Sequence, residues 1–430
     1  MVKDMNEEAK KSPIFHKFDY DKIPIVDLVN QIITDAYGKR ASDIHFDPAE
    51  KDLNVRIRID GELILYAIVP EHVRKNLSTR IKIIAGMNIT ETRLPQDGAI
   101  KMEFNGNPID MRVSSLPSVN GEKIVIRILD YTRSLDGLEV IGLSKENLTC
   151  IKKMLNAQNG IILVTGATGS GKSTTVYSML QKLNKIETNI ITVEDPVEMK
   201  VAGLNQVQVM SDIGLTFANA LRSILRQDPD VIMIGEIRDD ETARIAVRAA
   251  ITGHLVLSTI HTNNTLNTIE RLLDMDVERY LLGSALTGII SQRLTKQLCP
   301  KCKKSRPTTK YEKIVFEKAL GKKVDKVYDP VGCQHCIKGY LGRVPVHEVL
   351  ELNQEIRDAI VNNVKDEELR YLVYEKAHVK SILQDGLLKV LQGQTSFEEV
   401  LRIVDVETDF GEKDEELKNA LLGKYSELDN

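Results

Sequence analysis

The sequence of 430 residues lacks tryptophan, and no run of about 18 uncharged apolar residues is present that could cross a membrane. The N-terminus, MVKDMNEEAKK, also lacks the apolar stretch of a secretory signal. Positive charge is not in excess either, because the formal net charge is −4. A basic excess is typical of proteins that bind bulk nucleic acid. We therefore expect a cytoplasmic protein without a nucleic-acid partner.

Cysteine is scarce, but four of the five cysteines form two Cys-x-x-Cys pairs, Cys299/Cys302 and Cys333/Cys336. In a cytosolic protein, two such pairs favour a metal site over disulfides. Four thiolates suit tetrahedral Zn²⁺ in a closed structural site. The alternative is a pair of redox-active Cys-x-x-Cys motifs. The fifth cysteine, Cys150, is isolated and is expected to be an ordinary buried thiol.

The length exceeds what one hydrophobic core usually organises, so we expect several domains. From about residue 147, apolar strands alternate with helices, which predicts an α/β fold with a parallel sheet covered on both faces. The predicted divisions are a flexible tail (1–18), an N-terminal α+β domain (19–133), a linker (134–146), the strand–helix core (147–296), the tetracysteine segment (297–345) and a helical C-terminal domain (346–430).

A glycine-rich segment, GATGSGKS, follows the predicted strand IILVT and opens a predicted helix. It matches the phosphate-binding loop pattern at every fixed position, in the setting that such loops require. Backbone N–H groups of such a loop surround phosphate oxygens, its lysine reaches the β- and γ-phosphates, and its serine hydroxyl binds Mg²⁺. We therefore predict an ATP and Mg²⁺ site formed by Gly166, Thr168, Gly169, Ser170, Gly171, Lys172, Ser173 and Thr174.

Polar residues follow three further apolar strands, at the edge where open parallel sheets bind their ligands. Glu236 follows VIMIG and is our first candidate for holding Mg²⁺ or polarising the attacking water. Glu194 ends INIITVE and is the second candidate, while His261 ends HLVLSTIH and is placed to bond a γ-phosphate. The alternatives are a surface carboxylate, a solvated turn and an ordinary polar histidine.

Four segments follow one another along the chain, and their order and spacing are informative: GATGSGKST, ITVEDPVE, LRQDPDVIMIGEIRD and TGHLVLSTIHTN. Together with ASDIHFDP, RLPQDG and the tetracysteine segment, they closely resemble the assembly ATPases of type II secretion and type IV pili. The resemblance covers roughly residues 20–400. It implies a RecA-like P-loop NTPase core, an N-terminal α+β domain of PAS-like type, a small zinc-binding segment and a helical C-terminal region.

The resemblance also implies roles for four arginines. Arg112 and Arg127 match arginines of the N-terminal domain that fold over the nucleotide, and Arg222 and Arg226 match core arginines at the nucleotide or the subunit interface. Positive charge suits these positions, because negative charge shifts toward the leaving phosphate during phosphoryl transfer. The alternative for each is a surface residue of a strand or helix.

By the same resemblance, the chain should act as a homo-hexameric motor that is peripherally associated with the inner membrane and works with its platform proteins. The short segment before the first shared motif indicates either a naturally short member or a shortened chain. The lysine-rich tetracysteine segment is either a solvated face or a contact for acidic lipid headgroups. Competing functions are a pilus-retraction ATPase, a nucleic-acid translocase and a non-catalytic scaffold.

Overall fold

The computed structural model describes residues 14–104, 106–129, 137–406, 409 and 415–421. The chain divides into two compact units, Met1–Asp130 and Tyr131–Asn430. Residues 1–13 of the predicted flexible tail, residues 134–136 of the predicted linker and the last nine residues lie outside the described parts. The finer domain divisions given above stay predictions.

The first unit contains one antiparallel sheet of six strands in the order β3-β2-β1-β6-β5-β4. Its helices are α1 (Ile25–Gly38) and α2 (Glu71–Ile84). The strands are β1 (Asp43–Pro48), β2 (Asp52–Ile59), β3 (Glu62–Pro70), β4 (Gln96–Phe104), β5 (Asn107–Ser118) and β6 (Gly121–Leu129).

Strict alternation of apolar and polar residues explains why this sheet has one core face. Along β2, Leu53, Val55, Ile57 and Ile59 are buried, and the residues between them are more exposed. Side chains of a strand point alternately to opposite faces, so the intervening Arg56 and Arg58 share the opposite, polar face. The sequence pattern therefore determines which face carries the arginines of this unit.

The second unit contains a seven-stranded sheet in the order β15-β12-β7-β11-β10-β8-β9. All neighbours are parallel except the pair β12 and β15, which is antiparallel. The strands are β7 (Gly160–Thr165), β8 (Ile190–Glu194), β9 (Asn205–Gln208), β10 (Val231–Ile234), β11 (Leu255–Ile260), β12 (Leu286–Leu298) and β15 (Tyr340–Glu351).

This sheet is covered on both faces, as its apolar strands predict. Along β7, Ile161 and Leu163 belong to one buried cluster, and Ile162 and Val164 belong to another. The helices that build the two layers and the C-terminal region are α3 (Lys145–Met154), α4 (Lys172–Leu183), α5 (Phe217–Ile224), α6 (Asp240–Ile251), α7 (Thr265–Asp274), α8 (Arg279–Ala285), α10 (Gln354–Val361), α11 (Asp366–Arg370), α12 (Ile382–Leu391) and α13 (Phe397–Ile403).

Three strands of this sheet, β9, β12 and β15, occur where the sequence pattern indicated none. β12 and β15 join the sheet beside β7, and β15 extends to Glu351, inside the stretch predicted to be helical. β12 shows no clean alternation of burial, because part of it is enclosed on both sides. Between β12 and β15 in sequence lie two short antiparallel strands, β13 (Lys304–Pro307) and β14 (Lys326–Asp329), which are connected by α9 (Lys310–Leu320).

Helix capping is strong in this region. Thr309 and Ser381 each form a capping box with the residue three positions later, which fixes the start of α9 and of α12. A last helix, α14 (Glu415–Leu421), packs its apolar residues against the cluster around α9 and α12. Across the described residues, we find no helix of sufficient length and apolar character to span a bilayer.

Candidate active site

The glycine-rich loop lies between the carboxyl end of β7 and the first residue of α4. Gly166, Gly169 and Gly171 have φ values of 147°, 80° and 89°, in the region that L side chains rarely adopt. Added Cβ atoms would lie 2.3 Å from the carbonyl oxygen of Gln292 at Gly166, and 2.6 Å from its Nε2 atom at Gly171. Backbone conformation therefore favours glycine at both positions, and at Gly166 the backbone oxygen of Gln292 also leaves no space for a side chain.

Lys172 begins α4 and is buried within the loop. Its Nζ atom donates hydrogen bonds to the carbonyl oxygens of Gly166 at 2.8 Å and Ala167 at 3.1 Å. Burial lowers the pKa of the Lys172 ammonium, and the nearby Glu236 carboxylate opposes that shift. The ammonium group thus lies inside the phosphate-binding segment and within electrostatic reach of Glu236.

The hydroxyl residues of the loop differ in exposure. Thr168 is exposed at the tip of the loop, and Ser173 and Thr174 are half-buried in the first turn of α4. Ser170 is buried, and among the described residues its Oγ atom has no hydrogen-bond partner. A hydroxyl at Ser173 in the first helical turn, with Glu236 at the same sheet edge, is a donor set that fits Mg²⁺, which prefers oxygen ligands.

Glu236 lies just beyond β10 and retains contact with solvent, since its side chain is 18% exposed. One carboxylate oxygen accepts a hydrogen bond from Arg238 at 2.5 Å, and the other lies 3.6 Å from Nε2 of His261. Burial and the charge of Lys172 lower the pKa of His261, while Glu236 opposes them. The structure therefore brings Lys172, Glu236 and His261 together at one edge of the sheet.

Glu194 occupies a different environment at the end of β8, where it is 3% exposed. One carboxylate oxygen accepts a hydrogen bond from the Tyr177 hydroxyl at 2.5 Å. The other accepts from the Thr192 hydroxyl at 2.7 Å and from Nε2 of Gln206 at 3.1 Å. Both oxygens are thus bound to side chains that surround them, and Tyr177 and Gln206 are partners that no motif indicated.

Comparison with known proteins decides the family. The pattern of the family described as "Type II/IV secretion system protein" matches residues 19–402. The chain belongs to this family. Type II secretion system protein E of Aeromonas hydrophila is 44% identical over 386 residues, which is 89% of this chain and 76% of that protein. The type IV pilus assembly ATPase PilB of Myxococcus xanthus is 46% identical over 390 residues, 89% of this chain and 68% of that protein.

Solved structures share the fold. The ATPase DotB of Legionella pneumophila aligns with a TM-score of 0.65 at 22% identity, covering 88% of this chain and 95% of that one. The pilus retraction motor PilT with bound ADP aligns with a TM-score of 0.60 at 27% identity, covering 89% and 97%. The protein is therefore a secretion ATPase with a RecA-like core, an ATP hydrolase that uses nucleotide and Mg²⁺.

In the first unit of this secretion ATPase, Arg112 and Arg127 are cross-strand neighbours on β5 and β6. The next strand places Asp43 opposite Arg127, and Nε of Arg127 lies 3.0 Å from an oxygen of Asp43. The Arg127 side chain is nonetheless 64% exposed. The two predicted nucleotide-binding arginines therefore share one row of the polar sheet face, with Asp43 holding one of them.

Arg222 and Arg226 bond to side chains and carbonyl groups close to them on the surface of the second unit. Arg222 forms an ion pair with Glu241 and donates to Asn219 at 3.2 Å. Arg226 donates to the carbonyl oxygen of Arg222 at 2.7 Å and to Ser223 at 3.3 Å. Both arginines thus bond to groups of α5 and α6, and their side chains are exposed on the surface of this unit.

The four paired cysteines meet in space, although 30 residues separate the two motifs. Sγ distances are 3.9 Å for Cys299–Cys333, 3.6 Å for Cys302–Cys336 and 3.6 Å for Cys333–Cys336. Tetrahedral Zn²⁺ with bonds of about 2.3 Å requires sulfur separations of about 3.8 Å. The four thiols can therefore hold one metal ion.

Arg293 on β12 is a further residue that sequence motifs did not indicate. Its guanidinium donates to both oxygens of the buried Asp409 at 2.9 Å and to the carbonyl oxygen of Asn263 at 2.8 Å. Asn263 lies two residues after His261. The ion pair thus holds Asp409 beside the loop that carries His261. This contact joins segments far apart in sequence, so no local motif indicates it.

Proposed function

We propose that the protein is the motor ATPase of a machine that assembles pilus or pseudopilus subunits, for type IV pili or type II secretion. The observation that carries the proposal is the convergence of Lys172, Glu236 and His261 at the phosphate loop. The assembly role is supported by the relatives at 44–46% identity, which are named for type II secretion or pilus assembly. A retraction role has weaker support, from a motor at 27% identity.

In this proposal, the loop from Gly166 to Thr174 holds the phosphates, Lys172 neutralises the β- and γ-phosphates, and Ser173 with Glu236 holds Mg²⁺. When bound, Mg²⁺ supplies positive charge that stabilises the leaving phosphate. Glu236 retains a solvent-facing carboxylate, so it orients the attacking water. His261, whose pKa is lowered, bonds the γ-phosphate as a neutral imidazole and senses its release.

Glu194 is assigned the supporting role. A carboxylate that polarises water must be in contact with that water. Glu194 is 3% exposed and is surrounded by Tyr177, Thr192 and Gln206, whereas the Glu236 side chain is 18% exposed. We therefore propose that Glu236 polarises the attacking water and that Glu194 holds β8 and α4 together through its hydrogen bond with Tyr177.

The arginines complete the proposed site in the hexamer. Arg112 and Arg127 bring positive charge over the phosphates, and Arg222 and Arg226 act at the interface between subunits. Their exposure on the polar sheet face and on α5 supports roles that need a second surface. The tetracysteine site holds Zn²⁺ in this proposal, as a closed structural site.

The remaining partners are the inner-membrane platform proteins and acidic lipid headgroups. Nine of the ten lysines of the tetracysteine segment are exposed, while the Lys303 ammonium donates to the carbonyl oxygen of Gly393 and lies over the Tyr328 ring. Anionic vesicles should stimulate ATP turnover of the wild type. Charge reversal of six of the exposed lysines should abolish that stimulation; these are Lys301, Lys304, Lys310, Lys313, Lys322 and Lys323. Unchanged stimulation would contradict the lipid contact.

Complementation tests the function. The chain and its Lys172→Ala variant are expressed in a strain that lacks its own assembly ATPase but keeps its retraction motor. We expect surface pili or secreted substrate with the wild type and neither with the variant. Restored retraction without assembly, measured in a strain lacking only the retraction motor, would favour the retraction alternative. Stimulation of ATP turnover by DNA in a salt-sensitive manner would favour a translocase.

A further inference from the structure

Gln292 of β12 lies directly beside the phosphate loop. The parallel pairing of β12 with β7 aligns Ser291 with Thr165, the last residue before the loop, so the next residue along β12 lies next to Gly166. Its main-chain oxygen and its side-chain amide fill the space beside Gly166 and Gly171. Gln292 is 3% exposed, so this contact lies in the interior.

The side chain of Gln292 joins the loop to the helix that follows it. Its Nε2 atom donates to the carbonyl oxygen of Ser170 at 2.7 Å, and its Oε1 atom accepts from the Thr175 hydroxyl at 2.6 Å. A carbonyl oxygen can only accept, so the amide can satisfy the loop in only one orientation. The hydroxyl of Thr175, itself 1% exposed, supports that same orientation.

These bonds fix the direction of one loop peptide. In a planar trans peptide, the carbonyl oxygen and the following N–H point in opposite directions. Because the Ser170 carbonyl points toward Gln292, the N–H of Gly171 points away from Gln292. Glycine-rich turns are otherwise free to rotate such peptides, since glycine tolerates both signs of φ.

We propose that Gln292 is a positioning residue for ATP binding, which holds the Ser170–Gly171 peptide with its N–H directed at the phosphates. Thr175 acts through Gln292 by fixing its amide. The inference rests on the phosphate-binding role proposed for this loop. Its consequence is that an uncharged residue far from the loop in sequence sets the nucleotide affinity of the site without touching the nucleotide.

The test measures the dissociation constant of a fluorescent ADP analogue with Mg²⁺, the KM and kcat of ATP hydrolysis, and the melting temperature without nucleotide. Gln292→Met keeps the length of the side chain but removes both hydrogen bonds. We expect its dissociation constant and KM to rise about tenfold, with kcat within about threefold of wild type. The melting temperature should also fall by several degrees, because the buried Ser170 carbonyl and Thr175 hydroxyl each lose a partner.

Three further variants separate positioning from packing. Thr175→Ser keeps the hydroxyl and should bind as the wild type does, while Thr175→Val removes it and should weaken binding by about threefold. Gln297→Met is the matched control, because Gln297 is exposed on the same strand and should bind normally. If Gln292→Met does not fold, the dissociation constant of Thr175→Val compared with that of Thr175→Ser still tests the inference.

Unchanged affinity in Gln292→Met would overturn the inference, as would equal weakening by Thr175→Ser and Thr175→Val. A large drop in melting temperature with a normal KM would show that Gln292 only packs the interior, and would overturn it as well. Failure of the wild type itself to bind the analogue would instead overturn the phosphate site, and this inference with it. The two failures are therefore distinguishable.

Discussion

The two acidic candidates should respond in opposite ways to the same isosteric change. Glu236→Gln removes the negative charge from a partly exposed side chain that lies beside Arg238 and His261. Exposed ion pairs contribute at most about 1 kcal/mol, so the melting temperature should change little. Loss of a residue that polarises water should lower kcat by about 10²- to 10⁴-fold.

Glu194→Gln acts on a buried carboxylate that accepts three hydrogen bonds, at 2.5, 2.7 and 3.1 Å. The amide of glutamine keeps one acceptor oxygen, but its NH₂ group stands where the second carboxylate oxygen accepted a hydrogen bond. The variant therefore loses at least one charge-assisted hydrogen bond. Such a bond contributes about 1.5–3 kcal/mol to stability, so the melting temperature should fall by several degrees. The kcat of the folded enzyme should fall much less than in Glu236→Gln.

Thermal melting followed by circular dichroism gives the stability of each variant, and phosphate release at saturating ATP gives kcat. Glu187→Gln serves as the control, because Glu187 is an exposed acid between α4 and β8. If Glu194→Gln keeps its melting temperature and loses as much kcat as Glu236→Gln, the reasoning is refuted. Glu194 would then be the residue that acts on water.

Three other predictions follow from the structure. Purified protein should contain one Zn²⁺ per chain, and Cys302→Ser should lose the metal and lower the melting temperature, as measured by elemental analysis and calorimetry. Arg127→Ala should lower kcat by at least about tenfold. Arg56→Ala should not, and it is the matched control, because Arg56 lies on the same sheet face and is likewise paired with an aspartate, Asp47, at 2.6 Å. Burial and the charge of Lys389 hold the pKa of His347 far below its usual range. The free energy of unfolding of His347→Leu should therefore fall less steeply than that of the wild type as the pH is lowered.

The sign of the pH effect follows from proton binding. Unfolded His347 takes up a proton near pH 6.5 while the folded state does not, so stability falls as the pH drops below that value. The contribution is about 1.4 kcal/mol per pH unit until the folded pKa is reached. Equal acid sensitivity in the wild type and His347→Leu would contradict this. A metal-free wild type of full stability, or equal kcat values for Arg127→Ala and Arg56→Ala, would contradict the other two predictions.

Local patterns were sufficient for the parallel sheet and its phosphate loop. The strand before Gly166 is apolar throughout and the loop has a fixed spacing, so both features are visible within a dozen residues. The meeting of the four cysteines was predicted correctly from the spacing of the two motifs, whereas the RecA-like core was predicted correctly from the resemblance of several motifs to one family.

Other features depend on contacts between residues far apart in sequence. The role of Gln292 depends on the pairing of β12 with β7, more than 120 positions away, and a lone glutamine carries no motif. The burial of Glu194 depends on Tyr177 and Gln206, which reach it from a helix and from an edge strand. The sequence could place this acid at a strand end, but its surroundings determine which way the carboxylate faces.

The central claim is that this chain hydrolyses ATP at the site formed by the loop after β7 and the acid after β10. The most direct test is ATP turnover by the wild type, Lys172→Ala and Glu236→Gln under the same conditions. We predict measurable turnover for the wild type and rates near zero for both variants, with all three proteins equally folded. Three equal rates would contradict the claim.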